Sequence, residues 1–133
     1  MKPKIVIQNF IWAINSQDVE TIVELMTPDH KFIDGGGQII SGREPMRQGW
    51  IGYFQLVPDY QIFVSEMFES GDTVAVFGNA GGTYSPDGKA LKPENYWETP
   101  AAWRAVVEND KVKEWQVFAD NEPTRRLMER HQI

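Results

Sequence analysis

The hydrophobic pattern of the chain changes its period at Tyr60, and this change limits the possible folds more than any other feature. Before Tyr60, apolar residues recur every three or four positions, as on the buried face of a helix; after it they alternate, as in half-buried strands. Turn signals interrupt the alternating half at ESGD (69–72), SPDG (85–88) and END (108–110). The pattern predicts an α+β domain with a four-stranded antiparallel meander. Its strands are expected at residues 60–69, 73–84, 95–108 and 111–119.

The first third of the chain is predicted to form two helices and a short strand. A first helix is expected over residues 4–15. Its apolar stripe comprises Val6, Ile7, Phe10, Ile11 and Ile14. A second helix should begin after Asp18, whose carboxylate suits an N-cap, and should end at Met26, before Pro28. The run HKFID (30–34) then predicts a strand.

A third helix is expected after this strand. Ser41 and Glu44, in the run SGRE, have the S-x-x-E spacing of a capping box, and Pro58 marks the helix end. The apolar stripe of the helix comprises Met46, Trp50, Tyr53, Phe54 and Val57. Gly49 and Gly52 each weaken a helix by about 1 kcal/mol relative to Ala, so packing must hold it.

The segment PDGKALKPENYWETP (86–100) is predicted to be a loop with an irregular entry into the third meander strand. Pro93 and Pro100 bracket that entry, and proline cannot donate to a sheet ladder. We expect the segment to fold over the mouth of a pocket with Tyr96 and Trp97.

Size and composition set bounds on the class of protein. With 133 residues and no internal repeat, residues 1–133 are expected to form one domain. No segment approaches the roughly 18 uninterrupted apolar residues of a membrane span, so a soluble, cytoplasmic protein without a membrane partner is predicted. Cysteine is absent, which rules out disulfides and thiolate metal sites. A net charge of −6, from 19 acidic and 13 basic residues, argues against a nucleic-acid partner.

Three consecutive glycines, Gly35, Gly36 and Gly37, follow the predicted strand. A phosphate loop would require G-x-x-x-x-G-K-[ST], or G-x-G-x-x-G inside a βαβ unit. Neither pattern fits, because no Lys follows and the later strands are expected to be antiparallel. The glycines are instead predicted to reverse the chain with φ > 0 between the strand and the third helix.

Asp34, at the end of the predicted strand, is the candidate catalytic residue, and the sequence leaves two roles open for it. In one, its carboxylate accepts hydrogen bonds from the glycine amides as a turn residue. In the other, it is a general base at the mouth of an apolar cavity. His30 is expected to be solvated beside Pro28 and Asp29, and no second His stands at a metal-ligand spacing.

Several segments, spread over nearly the whole chain, carry a resemblance to a known family. They are NSQDVETIVELMTPD (15–29), FIDGGG (32–37), SGRE (41–44), GGTYSPDGK (81–89) and DKVKEWQVFAD (110–120). They resemble the nuclear transport factor 2-like superfamily, most of all its SnoaL-like polyketide cyclase and ketosteroid isomerase branch. The resemblance implies a cystatin-like α+β cone. In it, three helices close over a curved sheet that has a short N-terminal strand, and a short C-terminal helix follows. Fold alone does not decide function, since these cavities host unrelated chemistries.

The resemblance to ketosteroid isomerases implies that Asp34 is the base, the residue that moves a proton next to a carbonyl. Those enzymes also use an oxyanion hole made of a Tyr and a protonated Asp. The matching positions here hold Phe10 in the first helix and Ala102 or Trp103 in the third meander strand. The usual donors of a steroid isomerase are therefore absent at these positions.

The resemblance to polyketide cyclases implies an acid-base aspartate beside a Trp on the last strand. In this chain Gln116 follows Trp115, and Asp120 comes only at the end of the strand. A final short helix is predicted from about Pro123, and its N-cap would be Asp120 or Asn121. Capping is therefore the simpler role for Asp120.

Aromatic residues are numerous, with five Trp, seven Phe and four Tyr. They fill cores, but they also line cavities for flat apolar ligands. The residues expected to line such a pocket are Trp12, Trp50, Tyr53, Phe54, Asn79, Trp103, Trp115 and Val117. The sequence therefore suggests a protein that binds a small apolar ligand. One hypothesis is an enzyme without metal or organic cofactor that transfers protons on an apolar cyclic or carbonyl compound, as an isomerase, cyclase or dehydratase. The alternative is a non-catalytic ligand-binding or dimerisation module of the same fold.

A homodimer is also expected, through the outer face of the sheet. Ile62, Val64 and Phe68 form one alternating set in the first meander strand, and Phe118 lies opposite the interior set of the last strand. Apolar residues that exceed the needs of a one-sided core usually mark an interface.

Overall fold

Residues 1–130, the part of the chain that the computed structural model describes, form four α-helices and six β-strands. The helices are α1 (Pro3–Asn15), α2 (Val19–Glu24), α3 (Arg43–Leu56) and α4 (Glu122–Arg130). The strands are β1 (Met26–Ile33), β2 (Ile39–Ser41), β3 (Gln61–Ser70), β4 (Thr73–Thr83), β5 (Tyr96–Glu108) and β6 (Lys111–Ala119). These elements confirm the predicted α+β class. None of the helices in residues 1–130 combines the length and the apolar character needed to cross a membrane.

The six strands build one curved sheet with the order β2-β1-β6-β5-β4-β3. β3 to β6 are the predicted antiparallel meander, and their bounds differ from the prediction by at most one residue. β1 lies parallel to β6, and β2 pairs with β1 as an antiparallel edge strand. The sequence predicted one N-terminal strand, and the structure has the hairpin of β1 and β2.

The hydrophobic core lies between the inner face of the sheet and the helices. α1 contributes Val6, Phe10 and Ile14, all fully buried at the spacing that the sequence predicts. Trp115 of β6 packs edge to face against Phe10, with ring centroids 5.1 Å apart. Because this stripe faces the sheet, the other side of α1 is left to solvent.

α2 is shorter, and β1 longer, than the sequence predicts. Asp18 caps α2 as expected, but the helix ends at Glu24. Met26 already begins β1, which runs through Pro28. The pairing of β1 with β6 is irregular between Met26 and Lys31. This irregularity accommodates Pro28, which has no N–H to donate to a ladder.

The predicted capping box at the start of α3 is wrong. Ser41 belongs to β2, and Gly42 is the N-cap. The cause is the hairpin of β1 and β2, which extends to Gly42 because its N–H donates to the His30 carbonyl at 2.8 Å. Glu44 instead pairs with Arg47, with 3.0 Å between carboxylate oxygen and Nε.

The glycine run reverses the chain between β1 and β2, not between a strand and a helix as predicted. Of the three glycines, only Gly37 has a left-handed φ, of +84°. Its N–H donates to the Asp34 carbonyl at 2.9 Å, and the Asp34 N–H donates to the Gln38 carbonyl at 3.0 Å. These two bonds close the hairpin and fix the backbone of Asp34.

A β-bulge in β3 changes which of its residues share a face. The register against β4 shifts between Val64 and Glu66. Beside the bulge, the Phe63 carbonyl passes so close to Gly78 that a Cβ there would lie 1.9 Å from the oxygen. A residue without a side chain is therefore required at position 78 of β4.

The outer face of the sheet carries four exposed phenylalanines. They are Phe63, Phe68, Phe77 and Phe118. The rings of Phe68 and Phe77 are in contact, with centroids 6.2 Å apart. The predicted outer set of Ile62, Val64 and Phe68 is wrong in part, because Ile62 is buried and Val64 lies on the same side of β3 as Ile62. The bulge after Val64 puts Phe63 on the face of Phe68 instead.

Candidate functional site

A cavity of about 340 Å³ lies between α3, the inner face of the sheet and the turn after β1. Its walls are aromatic: Phe32, Trp50, Tyr53, Tyr60, Trp97, Trp103 and Trp115. An engineered cavity of about 150 Å³ in another protein binds benzene. A space about twice as large suits a flat ligand of two or three fused rings.

Helical and strand periodicity place these walls. Trp50 and Tyr53 are three residues apart on α3, and their rings meet edge to face at 6.3 Å. Trp103 of β5 and Trp115 of β6 are stacked, with ring centroids 6.1 Å apart. Since alternate residues of a strand share a face, Trp97 joins Trp103 on the inner side of β5.

Six of the nine residues predicted for the site line the cavity. They are Asp34, Trp50, Tyr53, Trp103, Trp115 and Val117. The other three do not line it. Trp12 is 68% exposed, because it lies off the buried stripe of α1. Asn79 lies on the outer face of β4, since its neighbour Ala80 faces the cavity, and Phe54 stacks on Trp50 without joining the lining.

The sequence predicted both Tyr96 and Trp97 to cover the mouth of a pocket, and the structure agrees for one of the two. Trp97 is buried and lines the cavity. Tyr96 does not, because it points to the other face of the strand, where its hydroxyl donates to Glu98 Oε1 at 2.8 Å. Trp97 alone of the predicted pair therefore contributes to the pocket.

The two carboxylate oxygens of Asp34 have different surroundings. Oδ1 accepts hydrogen bonds from the N–H groups of Gly36 at 2.8 Å and Gln38 at 2.9 Å. Oδ2 has no hydrogen-bond partner among residues 1–130. The turn role that the sequence offered for Asp34 therefore occupies Oδ1 and leaves Oδ2 without a partner in the described chain.

Gly35 and Asn121 border the cavity next to Asp34. A Cβ on Gly35 would lie 2.9 Å from Asn121 Nδ2, so the Asn121 side chain rests directly on the glycine turn. Asp120 does not line the cavity. Its carboxylate accepts from the Glu122 N–H at 3.0 Å, which is the helix-capping role that the sequence favoured.

Tyr60 is a cavity residue that the sequence did not predict. It lies between α3 and β3, is 7% exposed, and meets Tyr53 edge to face with ring centroids 5.0 Å apart. Burial raises the pKa of both phenols well above the ordinary value, and the neighbouring Tyr53 raises the pKa of Tyr60 further. Both hydroxyls therefore stay protonated at neutral pH and are available as hydrogen-bond donors.

Asp34 is the one charged side chain among the described residues that line the cavity. A carboxylate or phosphate on a ligand would find no Lys, Arg or His there to offset its desolvation. The site therefore favours a neutral or a cationic ligand over an anionic one. Within residues 1–130, no three His, Asp or Glu side chains lie close enough together to hold a metal ion.

His30 is buried, with 1% of its surface exposed, and the prediction of a solvated histidine is wrong. The cause is the longer β1, which begins at Met26 and places His30 inside the sheet beside β6. Its Nδ1 lies 2.7 Å from the Val112 carbonyl oxygen. A carbonyl only accepts, so Nδ1 carries the proton and Nε2 remains without a partner in the core. His30 does not line the cavity.

Comparison with known protein families agrees with the observed fold. The model of the SnoaL-like domain matches residues 7–115, which is most of the chain. The chain belongs to the SnoaL-like domain family. The match confirms the resemblance predicted from the sequence. A comparison with curated proteins found no significant match.

Solved structures with the same fold include proteins described as polyketide cyclases. IdmH of Streptomyces antibioticus, so described, has a TM-score of 0.79 and 24% identity, covering 97% of this chain and 99% of its own. A Shewanella putrefaciens protein that is likewise described as a SnoaL-like polyketide cyclase has a TM-score of 0.81 and 16% identity, covering 96% of this chain and 86% of its own.

A third solved structure is a ketosteroid isomerase-like protein of Catenulispora acidiphila, in complex with trimethylamine. Its TM-score is 0.75 at 15% identity, covering 89% of this chain and 86% of its own. At these identities, the likeness to all three shows the fold, and the chemistry has to be argued from the cavity.

Proposed function

We propose that this protein binds a small, flat, apolar carbonyl compound in its aromatic cavity and transfers a proton on it without a cofactor. The observation that carries the proposal is Asp34, which lines the cavity and whose Oδ1 is fixed by two turn amides while Oδ2 has no partner among residues 1–130. A base held in one orientation beside a bound substrate meets the geometric requirement of general-base catalysis.

The chemistry is an enolisation. Asp34 Oδ2 takes a proton from a carbon next to the carbonyl, the C–H electron pair moves into a new C=C bond, and the carbonyl oxygen becomes an enolate. Where a C=C bond is conjugated with the enolate, return of the proton to the far carbon of that bond isomerises the substrate. Attack of the enolate carbon on a second carbonyl instead closes a ring, and the alkoxide formed takes the proton back from Asp34. The aromatic walls exclude water, which strengthens the electrostatic interactions of the reacting groups.

The names of the structural neighbours agree with this class of reaction. Cyclases of polyketides act on carbonyl compounds, and two of the compared proteins are described as such enzymes. These proteins share the fold of this chain, and in this chain the Asp34 carboxylate lines the cavity and supplies the group that the reaction needs.

The second candidate function is a non-catalytic ligand-binding module of the same fold. The hydrogen bonds from Gly36 and Gln38 favour it, because they explain an aspartate at position 34 by the turn alone. The two candidates predict the same cavity and differ in whether Asp34 exchanges protons with the ligand.

Deuterium exchange separates the two candidates. α-Tetralone is a flat two-ring ketone that fits the cavity volume, and its C2 protons exchange slowly in neutral D₂O. We expect the wild-type protein to accelerate this exchange, as followed by ¹H NMR. Asp34→Asn should lower the accelerated rate by about 100-fold or more, the usual contribution of a general base. The Asn side chain still accepts the turn amides, so the hairpin is preserved.

Asp87→Asn is the matched control. Asp87 Oδ1 also accepts a turn amide, from Lys89 at 2.9 Å, but Asp87 does not line the cavity. Its variant should exchange at the wild-type rate. Equal acceleration by Asp34→Asn would refute the role of Asp34, and binding of α-tetralone without exchange would favour the binding module.

We also propose a homodimer through the outer face of the sheet. The exposed rings of Phe77 on β4 and Phe118 on β6 lie on one row across the sheet, since both pair with Ala102 of β5. With Phe63 and Phe68 they supply an apolar patch of the kind that marks interfaces.

A further inference from the structure

We propose that the hydroxyls of Tyr53 and Tyr60 form a donor pair that binds one acceptor oxygen of the ligand, a ketone or quinone carbonyl. Tyr60 thereby becomes a specificity-determining residue of the cavity. The inference rests on the proposed function for the place of the ligand, but it does not require that Asp34 be catalytic.

The hydroxyls of Tyr53 and Tyr60 lack a hydrogen-bond partner in the described chain, but they are not closed off from solvent. Neither makes a hydrogen bond with a residue of the described chain. The polar side-chain atoms that are both unpaired and closed off from solvent belong to Thr27, His30, Trp50 and Trp97, and the two phenol oxygens are not among them. Because Tyr60 is almost wholly buried and lines the cavity, its unpaired oxygen opens onto the cavity.

An unpaired buried hydroxyl costs free energy until a ligand supplies its partner. The edge-to-face contact of the two rings, at 5.0 Å between centroids, places the two phenols side by side in the lining of the cavity. Each is neutral at physiological pH, because the ordinary pKa of a phenol already lies near 10 and burial raises it further. One oxygen with two lone pairs, as in a carbonyl, can accept from both hydroxyls at once, whereas a hydrocarbon can accept from neither.

The topology places Tyr60, the partner of Tyr53 in the ring contact, across the cavity from Asp34. Asp34 follows β1, which is next to the edge strand β2, whereas Tyr60 immediately precedes β3, the opposite edge of the sheet. The curvature of the sheet brings both into the lining of one cavity. A ligand that spans the cavity therefore meets hydroxyl donors at one wall and the carboxylate at the other.

The test compares α-tetralone with tetralin, which has the same two rings and no carbonyl. Affinities are measured by NMR titration, and a ¹³C label on the tetralone carbonyl reports its hydrogen bonds, since donation to the oxygen moves the carbon signal downfield. We expect wild-type protein to bind α-tetralone more tightly than tetralin and to move the carbonyl signal downfield on binding.

Tyr60→Phe and Tyr53→Phe should each weaken α-tetralone binding by about two- to tenfold, the worth of one neutral hydrogen bond, and leave tetralin binding at its wild-type value. Each should also reduce the downfield shift. Tyr96→Phe is the matched control, because the Tyr96 hydroxyl faces outward to Glu98. It should match the wild type in both affinities and in the carbonyl shift.

Equal loss of α-tetralone and tetralin affinity in the phenylalanine variants would overturn the donor pair, since it would reveal a packing effect. An unchanged carbonyl shift in the double variant Tyr53→Phe/Tyr60→Phe would overturn it as well, and so would failure of the wild type to prefer the ketone. Failure of the proposed proton transfer is distinguishable, because it leaves the carbonyl preference intact and abolishes only the deuterium exchange.

Discussion

The burial of His30 makes the stability of this fold depend on pH. Desolvation lowers the pKa of His30, opposed in part by the Val112 carbonyl, so the unfolded chain binds this proton more readily than the folded chain. The free energy of unfolding should therefore be at its full value above about pH 6.5, the ordinary pKa of His, and should fall as the pH drops below it. The limiting slope is about 1.4 kcal/mol per pH unit for one group.

Urea unfolding at several pH values between 5 and 8 measures this slope. His30→Phe fills a similar volume and cannot titrate, so its stability should fall less steeply below pH 6.5 than that of the wild type. The comparison uses slopes, so any constant cost of losing the bond to Val112 cancels. Parallel curves for the two proteins would contradict a buried, neutral His30.

At the scale of single residues, the spacing of apolar residues in the sequence predicted most of the aromatic side chains that line the cavity. Strand alternation placed Trp103 and Trp115 inside, and helical spacing placed Trp50 and Tyr53 on one face. The apolar stripe of α1 already argues against Trp12, which lies off it. Tyr60 was missed although the predicted strand 60–69 begins with it. It has the parity of Ile62, which was assigned to the outer face, whereas the structure buries both residues and begins β3 only at Gln61.

At the scale of elements, two glycines should respond to the same substitution with opposite signs. Gly78→Ala places a Cβ 1.9 Å from the Phe63 carbonyl at the bulge of β3, so it should destabilise the fold by about 1–3 kcal/mol or more. Gly52→Ala adds a Cβ on α3 with no atom within 4 Å, so it should stabilise by about 1 kcal/mol through helix propensity. Thermal or urea unfolding measures both, and equal signs would contradict the bulge geometry.

The meander was predictable because long alternating segments and clear turn signals agree over four strands. The edge strand β2 was not, because its three residues are too few to show a period. The bulge in β3 was not either, since it changes the facing of Phe63 and Phe68 without changing the residue types. Tertiary pairing with β1 also overrode the local capping signal at Ser41.

At the scale of the whole molecule, the outer face of the sheet should hold two chains together. Light scattering after size exclusion at micromolar concentration should give about twice the chain mass of 15.3 kDa. Phe77→Asp, in the middle of the apolar face, should give the monomer mass. Trp12→Ser, which removes an exposed aromatic side chain from α1, should leave the dimer intact. A wild-type protein that elutes as a stable monomer would refute the interface.

The charge of the molecule predicts no appreciable affinity for DNA or RNA. With a net charge of −6, the chain has no basic stripe to displace counterions from a phosphate backbone. A gel-shift titration at ~150 mM salt should show no binding below micromolar concentrations, and a submicromolar complex would overturn this expectation.

The central claim is that a flat ligand enters the aromatic cavity, and the five tryptophans provide the most direct test. Four line the cavity: Trp50, Trp97, Trp103 and Trp115. The fifth, Trp12, lies outside it on α1. In an NMR titration with α-tetralone, the indole N–H signals of the four should shift with a single saturation curve, while that of Trp12, assigned with Trp12→Phe, should stay in place. Shifts confined to Trp12, or uniform shifts without saturation, would contradict the claim.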